Sequence, residues 1–413
     1  MGKPLTTSDK PSATLGPVAF LVLLGALSAF PPVTTDIYLP ALPQLTHDLH
    51  GAPAQGQQTL AAYFLGLGAG QLFYGPWADR IGRRPVMLVG AAIYLVATLG
   101  CAVTSSITAM IALRFLQALG ASSGVVISSA VVRDRFGHQE SAKVFSMLLT
   151  LRGIGPIVAP IIGGAIITFT GWRTIFWALG AFGTAVLLAV LFKLPETRPA
   201  AVAERARSES PLRAYAETLR SPRIIGYGLT NGFNFACMFA WIAAAPYLVI
   251  GVYGVPALWF GWIFGINAAG FMAASQINRR LLRHFHADAI MICGAIGALA
   301  AASLLLIDAL TGIGGPPGVM VPLFLVVSSL GFVSTNAMAG GLAVDPSRAG
   351  TVSALLGTSQ FAFAGLITAA AGLISPQPAI AMAAAVFVCA LGALVFPLGI
   401  ALRGRRGADH SSA

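Results

Sequence analysis

Long apolar stretches follow one another along almost the whole chain, each bounded by charged residues or by glycine and proline. A helix needs about 20 predominantly apolar residues to cross the hydrocarbon core of a bilayer. By this measure the sequence predicts an all-α membrane protein with twelve membrane-spanning helices. These helices cover residues 16–40, 56–78, 86–104, 109–132, 142–169, 174–194, 223–250, 257–278, 288–308, 317–341, 350–374 and 379–402.

Composition and charge strengthen this prediction. The 413 residues are 56% hydrophobic and only 9% charged, and the mean hydropathy is +0.80, more than any soluble domain of this size needs. The net charge of +11 could indicate a nucleic-acid-binding protein, but 22 of the 25 Lys and Arg residues fall on one side of the predicted membrane. Arg173 lies on the opposite side, and Arg114 and Arg152 lie within spans. This bias predicts cytoplasmic termini and no nucleic-acid partner.

The sequence has none of the patterns that indicate an enzyme or a metalloprotein. Its four cysteines stand singly in apolar spans, without the spacing of a disulfide framework or a metal site. It contains no HExxH, no GxSxG and no GxxxxGK(S/T) phosphate-binding loop. We therefore expect no catalytic site, no metal and no nucleotide-driven pump, and a membrane enzyme or receptor is the least favoured hypothesis.

A long polar segment divides the predicted spans into two sets of six. We expect a tail over 1–15, a six-helix bundle over 16–194, a cytoplasmic linker over 195–222 with an amphipathic helix near 212–219, a second bundle over 223–402 and a tail over 403–413. The segment "GPWADRIGRR" (75–84) has a weak counterpart in "ASQINRRLLR" (274–283), with Asp79 opposite Asn278. Such a duplication predicts two pseudo-symmetric bundles around a central cavity, which is a transporter architecture.

Several motifs resemble those of the major facilitator superfamily. "GPWADRIGRRPVM" (75–87) is similar to the signature between its spans two and three, and "RFLQALGASSG" (114–124) to its span-four motif. "GIGPIVAPIIGG" (153–164) is similar to the span-five motif of its drug:proton antiporters. "TTDIYLPALPQL" (34–45) resembles in particular the bicyclomycin and chloramphenicol resistance (Bcr/CflA) subfamily, whereas the second half adds only "RAGTVSALLG" (348–357).

The resemblance implies a function and a location. It implies a monomeric multidrug efflux antiporter in a bacterial inner membrane, which works by alternating access and exports small drug-like molecules. The energy source would be the proton gradient, with no cofactor. An alternative hypothesis is a transporter of the same fold that carries a physiological metabolite, a sugar or an amino-acid derivative.

Asp36 is the candidate for proton coupling. It shares a face of the first helix with Gly25, Ala29, Pro32 and Pro40, and an intramembrane carboxylate is costly and usually functional or paired. Arg114, in the outer half of the fourth helix, could contact it. A carboxylate whose protonation depends on whether arginine, water or substrate lies beside it suits proton coupling. A structural ion pair, or a residue already in water at the outer mouth, is the alternative.

The predicted substrate cavity combines apolar walls with a few polar groups. On the fourth helix, Arg114, Gln117, Ala121, Gly124 and Ser128 form one small or polar stripe. If Arg152 faces the cavity, its charge favours neutral or weakly anionic drugs; alternatively it reaches the membrane surface or pairs structurally. The aromatic candidates could equally face lipid or the core. The predicted cavity residues are Tyr38, Gln117, Arg152, Asn231, Asn234, Phe235, Met238, Trp241 and Gln360.

Two motifs are candidates for gating. In the first, Gly82 permits a turn that returns the arginines to the headgroups, and the resemblance implies that Asp79 interacts with the helix-eleven region across the halves; a loop that only sets topology is the alternative. In the second, glycine and proline form either a pliable seam or simple tight packing. The predicted gating residues are Gly75, Asp79, Arg80, Gly82, Arg83, Arg84, Asp134, Gly155, Pro156, Pro160, Gly163 and Gly164.

Overall fold

The structure is a computed structural model that describes residues 17–374 and 377–409. Twelve long α-helices account for most of it. The first six are α1 (Pro17–Asp36), α2 (Pro53–Ile81), α3 (Arg83–Val103), α4 (Ile107–Arg135), α5 (His138–Phe169) and α6 (Trp172–Lys193). The second six are α7 (Pro222–Ala245), α8 (Ala257–Leu281), α9 (Ala287–Thr311), α10 (Gly315–Val344), α11 (Ala349–Ile374) and α12 (Pro378–Asp409).

The twelve long helices coincide with the twelve predicted spans. Within the described ranges, eleven helical segments are long and apolar enough to cross a membrane by length and composition. The remaining long helix is α2, which has 29 residues but carries Gln55, Gln57, Gln58 and Gln71. It packs between α4 and α11 in the interior of the bundle.

Helix contacts repeat after six helices. In the first half α2 packs on α4, α3 packs on α4 and α6, and α1 packs on α4 and α5. In the second half α8 packs on α10, α9 packs on α10 and α12, and α7 packs on α10 and α11. The two halves meet through α2 against α11 and through α5 against α8, which are also equivalent pairs. A duplicated six-helix unit accounts for this pattern.

The two ends of the bundle have different connections. One end, which we call the linker face, carries the α2–α3 turn and residues 194–221, with short helices at Ala200–Ser208 and Pro211–Thr218. The second of these is the amphipathic helix that the sequence predicted. The opposite end, the distal face, carries residues 37–52 and a π-helix, Pro246–Val252. The π-helix begins at Pro246 because proline lacks the N–H that would continue the α-helical hydrogen bonds of α7.

Proline shapes the end of α1 as well. The first helix ends at Asp36 rather than at residue 40, and a 3₁₀ turn (Leu39–Ala41) and a short helix (Leu42–Asp48) follow it. Pro40 and Pro43 stand at the first positions of these elements, where no N–H is needed. Inside α1, the hydroxyl of Thr35 donates to the carbonyl oxygen of Pro31 at 2.8 Å.

Candidate functional site

A cavity of about 1070 Å³ lies between the two halves and extends from the middle of the bundle to the linker face. Its wall comes from α1, α2, α4 and α11, from Met338 on α10 and from the linker. The deep part contains no Asp, Glu, Lys or Arg among the described lining residues. Those residues are Ser28, Pro31, Pro32, Leu67, Gln71, Ser122, Val125, Val126, Ser129, Gly357, Gln360 and Phe361.

All charged lining residues lie towards the linker-face mouth. These residues include both acids and bases, so the mouth is a polar entrance that does not strongly favour cations or anions. They are Asp79, Arg83, Arg133, Asp134, Glu209, Arg213, Glu217 and Arg348.

Only one of the predicted cavity residues with a described side chain lines this cavity: Gln360. Asn231 is fully buried behind it and accepts a hydrogen bond from the Gln360 amide at 3.2 Å. Asn234 instead donates to the Leu330 carbonyl oxygen at 3.4 Å, and Trp241 is 2% exposed. These α7 residues do not line the cavity in this conformation, because the asparagine face of α7 packs on α10 and α11, and their role in substrate binding stays a prediction.

The other predicted cavity residues lie elsewhere. Phe235 and Met238 are partly buried against the core, and the ring of Phe235 lies 6.1 Å from that of Phe239. Tyr38 and Gln117 are fully buried inside the first half. The side chain of Arg152 lies outside the described residues, so its direction stays a prediction.

The predicted stripe on α4 faces the interior of the first half rather than the cavity. A Cβ atom at Gly124 would lie 2.4 Å from the carbonyl oxygen of Leu27, so α1 and α4 are in backbone contact there. The cavity is lined by the adjacent stripe of Ser122, Val125, Val126 and Ser129. One residue along a helix turns the side chain by about 100°. The face of α4 that lines the cavity therefore lies one residue further along the chain than the small and polar stripe.

Arg114 lies fully buried between two tyrosine rings. Its guanidinium carbon is 4.5 Å from the ring centre of Tyr38 and 4.2 Å from that of Tyr63, which are cation–π distances. One amino group donates to Gln117 at 2.7 Å, and Gln117 donates to the hydroxyl of Thr98 at 2.8 Å. The Nε and Nη2 atoms have no hydrogen-bond partner among the described residues.

Asp36 is 5% exposed at the end of α1 and forms no ion pair or hydrogen bond with any residue in the described ranges. The predicted contact between Asp36 and Arg114 is thus absent from this conformation, because tyrosine faces and Gln117 surround the guanidinium instead. The protein holds a buried acid and a buried base in one half without pairing them. Such an arrangement is costly and leaves both groups available to new partners.

We predicted that the arginines of the α2–α3 turn return to the lipid headgroups. In the structure their side chains bind protein groups. Arg83 is 4% exposed, forms an ion pair with Asp79 and donates to Asp134 at 2.9 Å. Arg84 donates to the carbonyl oxygen of Leu191 at 2.6 Å, and Arg80 donates to those of Ala206 and Glu209, both at 3.2 Å. The three arginines therefore tie this turn to α4, α6 and the linker.

Glu196 is a member of this network that the sequence did not reveal. Its carboxylate accepts backbone N–H groups of Arg83, Arg84, Thr197 and Arg198 at 2.9 to 3.1 Å. Burial raises the pKa of Glu196, but these four hydrogen bonds outweigh it and the net pKa is below the ordinary value. Gly82 has φ +131°, and a Cβ atom there would lie 2.6 Å from Glu196.

Asp79 and the first turn of α11 line the same mouth, on opposite halves, without a bond between them. Asp79 pairs within its own half, so its predicted interaction with the helix-eleven region is not made in this conformation. In the second half, the position equivalent to Asp79 is held by an uncharged residue, Asn278. There Asn336 donates to Asn278 at 2.8 Å and to the Phe332 carbonyl oxygen at 2.8 Å.

The linker helix Pro211–Thr218 crosses the mouth between the halves. The hydroxyl of Tyr215 donates to the carbonyl oxygen of Leu72 on α2 at 3.1 Å. Glu217 accepts hydrogen bonds from Arg348, before α11, at 2.7 Å and from Arg213 at 2.8 Å. The linker is therefore part of the cavity wall as well as a connection.

Close packing seals the distal face. On α5, a Cβ atom at Gly163 would lie 2.0 Å from the Ile37 carbonyl oxygen, and one at Gly164 would lie 2.4 Å from that of Ala257. Gly155 lies against Pro32 on α1. The glycine and proline motif of α5 thus permits close approach to both α1 and α8. Its role in switching stays a prediction.

Sequence comparisons give a consistent family. The Major Facilitator Superfamily profile matches residues 22–369. The uncharacterized MFS-type transporter YdgK of Bacillus subtilis is 33% identical over 92% of this chain and 94% of its own. A bicyclomycin resistance protein homolog of Haemophilus influenzae is 33% identical over 83% and 86%, and the multidrug resistance protein MdtL of Escherichia coli is 32% identical over 83% and 85%.

Solved structures agree with the fold. A bacterial homolog of the human lysosomal transporter Spinster, described as inward-facing and unoccupied, has a TM-score of 0.70 at 16% identity and covers 95% of this chain and 96% of its own. A D-xylose–proton symporter has a TM-score of 0.69 at 14% identity over 92% and 96%. The predicted fold of two pseudo-symmetric six-helix bundles around a central cavity is confirmed.

Proposed function

Because the chain belongs to the major facilitator superfamily, we propose that it is a proton-coupled antiporter that exports uncharged or weakly anionic drug-like compounds across a bacterial inner membrane. The linker face is the cytoplasmic face, in line with the basic residues concentrated there. The cavity described above is then open to the cytoplasm, ready to take up a compound for export. One chain contains the whole cavity, which fits a monomer.

The uncharged deep wall of the cavity carries the proposed substrate class. A cationic drug would enter that part without meeting a carboxylate, whereas hydroxyl and amide groups offer hydrogen bonds to a neutral compound. The printed names of two relatives, a bicyclomycin resistance homolog and a multidrug resistance protein, support drug export.

Asp36 and Arg114 carry the proposed proton coupling. They are buried in the same half and form no ion pair with each other in this conformation. In the opposite conformation Asp36 approaches Arg114 and releases or takes up its proton. Proton movement is thereby linked to the switch between the inward-open and outward-open conformations. Proton binding and drug binding then alternate, and proton influx drives drug efflux.

Transport in proteoliposomes tests the proposal. Bicyclomycin, chloramphenicol and the cation ethidium are offered to the wild type and to Asp36→Asn with and without an imposed pH gradient. We expect the gradient to accelerate transport of the two uncharged drugs in the wild type, and Asp36→Asn to exchange drug without responding to the gradient. Wild-type transport that ignores the gradient would refute proton coupling, and a preference for ethidium would refute the substrate class.

A further inference from the structure

Three uncharged polar residues line the cavity at one depth. Ser28 on α1, Gln71 on α2 and Gln360 on α11 each lie roughly 15 Å along the helix axis from the linker-face end of their helix, at about 1.5 Å per residue. This is about half of a hydrocarbon core that is roughly 30 Å thick. They therefore form one polar level in the middle of the membrane.

These residues have unused hydrogen-bonding capacity. Ser28 is fully buried, and its hydroxyl has no partner among the described residues. Gln71 likewise makes no side-chain hydrogen bond within the described ranges. Gln360 gives one N–H to Asn231, which leaves its carbonyl oxygen free, and Asn231 is itself anchored to the Leu356 carbonyl oxygen at 3.1 Å. An unsatisfied buried group such as the Ser28 hydroxyl is costly, so a ligand that satisfies it gains affinity, and the half-buried amides of Gln71 and Gln360 offer further hydrogen bonds.

Two other hydroxyls of the deep wall are already occupied. Ser122 donates to the carbonyl oxygen of Leu119 at 2.7 Å, and Ser129 donates to that of Val125 at 2.9 Å. These are bonds within α4. Among the polar side chains of the deep wall, the free capacity is thus concentrated on Ser28, Gln71 and Gln360.

Gln71 and Gln360 belong to opposite halves, and glycine brings them together. A Cβ atom at Gly357 would lie 1.8 Å from the amide oxygen of Gln71, so the Gln71 side chain occupies the space that Gly357 leaves. Beside it, the hydroxyl of Thr358 donates to the carbonyl oxygen of Gly68 at 3.2 Å across the same α2–α11 contact. A ligand held by both amides would bridge the halves.

We propose that Ser28, Gln71 and Gln360 are the specificity residues of the cavity and bind the hydroxyl and amide groups of an uncharged substrate. This inference rests on the proposed drug export and names the groups that recognise the drug. Pro31, Pro32 and Phe361 cover its apolar part. Since the two amides lie on opposite halves, occupancy of the site acts directly on the contact that must rearrange during alternating access.

Transport kinetics of three apolar variants test the site. Bicyclomycin and chloramphenicol, which both carry hydroxyl and amide groups, serve as probes in proteoliposomes with Ser28→Ala, Gln71→Met and Gln360→Met. Each variant should raise KM about threefold to tenfold, the effect of losing one hydrogen bond, while the maximal rate changes less. The matched control is Ser129→Ala, which should leave KM unchanged because that hydroxyl is occupied within α4.

Gly357→Ala provides a second variant, in which Ser28, Gln71 and Gln360 themselves are not mutated. The new methyl group requires the flexible Gln71 amide to move. It should raise KM as much as Gln71→Met does. In the double variant KM should be only slightly higher than in either single variant.

The outcomes separate the two proposals. Wild-type protein that exports the probes, with KM unchanged in Gln71→Met and Gln360→Met, would overturn the assignment of these residues and leave drug export standing. Wild-type protein that moves neither probe would overturn drug export and, with it, this substrate class. A rise in KM confined to the named variants and Gly357→Ala supports the assignment.

Discussion

The hydroxyl of Tyr247 lies 2.7 Å from that of Thr46 and joins the two halves at the distal face. Tyr247 belongs to the π-helix after α7, and Thr46 to the short helix after α1. Both residues are buried, so water does not compete for this bond. With the distal face closed and the cavity extending to the linker face, the seal at Tyr247 must break whenever the protein exposes its cavity on the other side.

Removing one hydroxyl should loosen this seal. Tyr247→Phe keeps the ring and loses the bond, whose net value of about 1 kcal/mol corresponds to roughly a fivefold change in the opening equilibrium. We expect amide hydrogen exchange of residues 247–252 to accelerate by about that factor. Tyr253→Phe is the control, since no side-chain hydrogen bond of Tyr253 occurs among the described residues; equal exchange in wild type and Tyr247→Phe would contradict the prediction.

Gly56 offers an independent test of the same seal. A Cβ atom at Gly56 would lie 1.7 Å from the Tyr247 hydroxyl oxygen. Gly56→Ala should therefore displace the tyrosine and accelerate exchange more than Tyr247→Phe does. The same methyl group would lie 2.3 Å from the Thr46 hydroxyl oxygen, so the background must remove both hydroxyls: in Thr46→Ala, Tyr247→Ala, adding Gly56→Ala should change exchange little. A full additional effect in that background would show that Gly56 acts elsewhere.

The fold could be predicted from the sequence because membrane spans have a strong local signal. A run of about 20 apolar residues has few alternatives in a bilayer, so all twelve helices were placed, including α2 with its glutamines. The internal repeat also predicted equivalent positions in the two halves, although few of its residues are identical. Asn278 on α8 was placed opposite Asp79 on α2. The structure joins Asn278 to Asn336 on α10, and it joins Asp79 through Arg83 to Asp134 on α4, so each residue is linked to the equivalent helix of its own half.

The site was harder because it depends on helix rotation and on partners distant in sequence. The small and polar stripe of α4 packs on α1 in this conformation, and the residues that line the cavity lie one position further along the helix. Arg114 was matched with the nearest plausible acid, whereas two tyrosine rings surround it. Glu196 follows Arg84 by more than 100 residues, and nothing in the local pattern of the linker marks it as the acceptor for that turn.

The tyrosine cage predicts that lysine cannot replace Arg114. A lysine keeps the charge but loses the planar group that stacks between Tyr38 and Tyr63 and reaches Gln117. We expect Arg114→Lys to destabilise the protein by about 1–2 kcal/mol in detergent unfolding. Arg173→Lys is the matched control because Arg173 also lies over a ring, Trp172 at 4.1 Å, but is exposed. Equal losses in both variants would contradict a special role for the buried cage.

The Asn278 and Asn336 pair predicts strong coupling between two substitutions. Both amides are buried, and removing one leaves the other short of a partner. Asn278→Ala and Asn336→Ala should each cost about 1–3 kcal/mol, and the double variant should cost clearly less than their sum. Unfolding of all four proteins in one denaturant series measures the coupling, and strict additivity would contradict the pairing.

The linker helix predicts a dependence on pH that Glu217 controls. Hydrogen bonds from Arg213 and Arg348 hold the pKa of Glu217 below its ordinary value. A group with a lowered pKa in the folded state contributes fully above its ordinary pKa, and the contribution is lost as the pH falls through the lower value. The linker helix should therefore stay docked at neutral pH and release only in acid, and high salt should weaken it because Glu217 and Arg348 are partly exposed.

Distances between spin labels at positions 216 and 350 measure this docking. Ala216 is exposed, and a Cβ atom at Gly350 meets no atom within 4 Å, so both sites accept a label once the exposed Cys293 is changed to serine. We expect a narrow distance distribution at neutral pH that broadens as the pH falls below the ordinary pKa of a glutamate, and a broad one at every pH in Glu217→Gln. Glu204→Gln, a change to an exposed acid in the same linker, should behave as wild type. A narrow distribution in Glu217→Gln would show that Tyr215 and the backbone contacts hold the linker without Arg348, and that its pH response must come from another group.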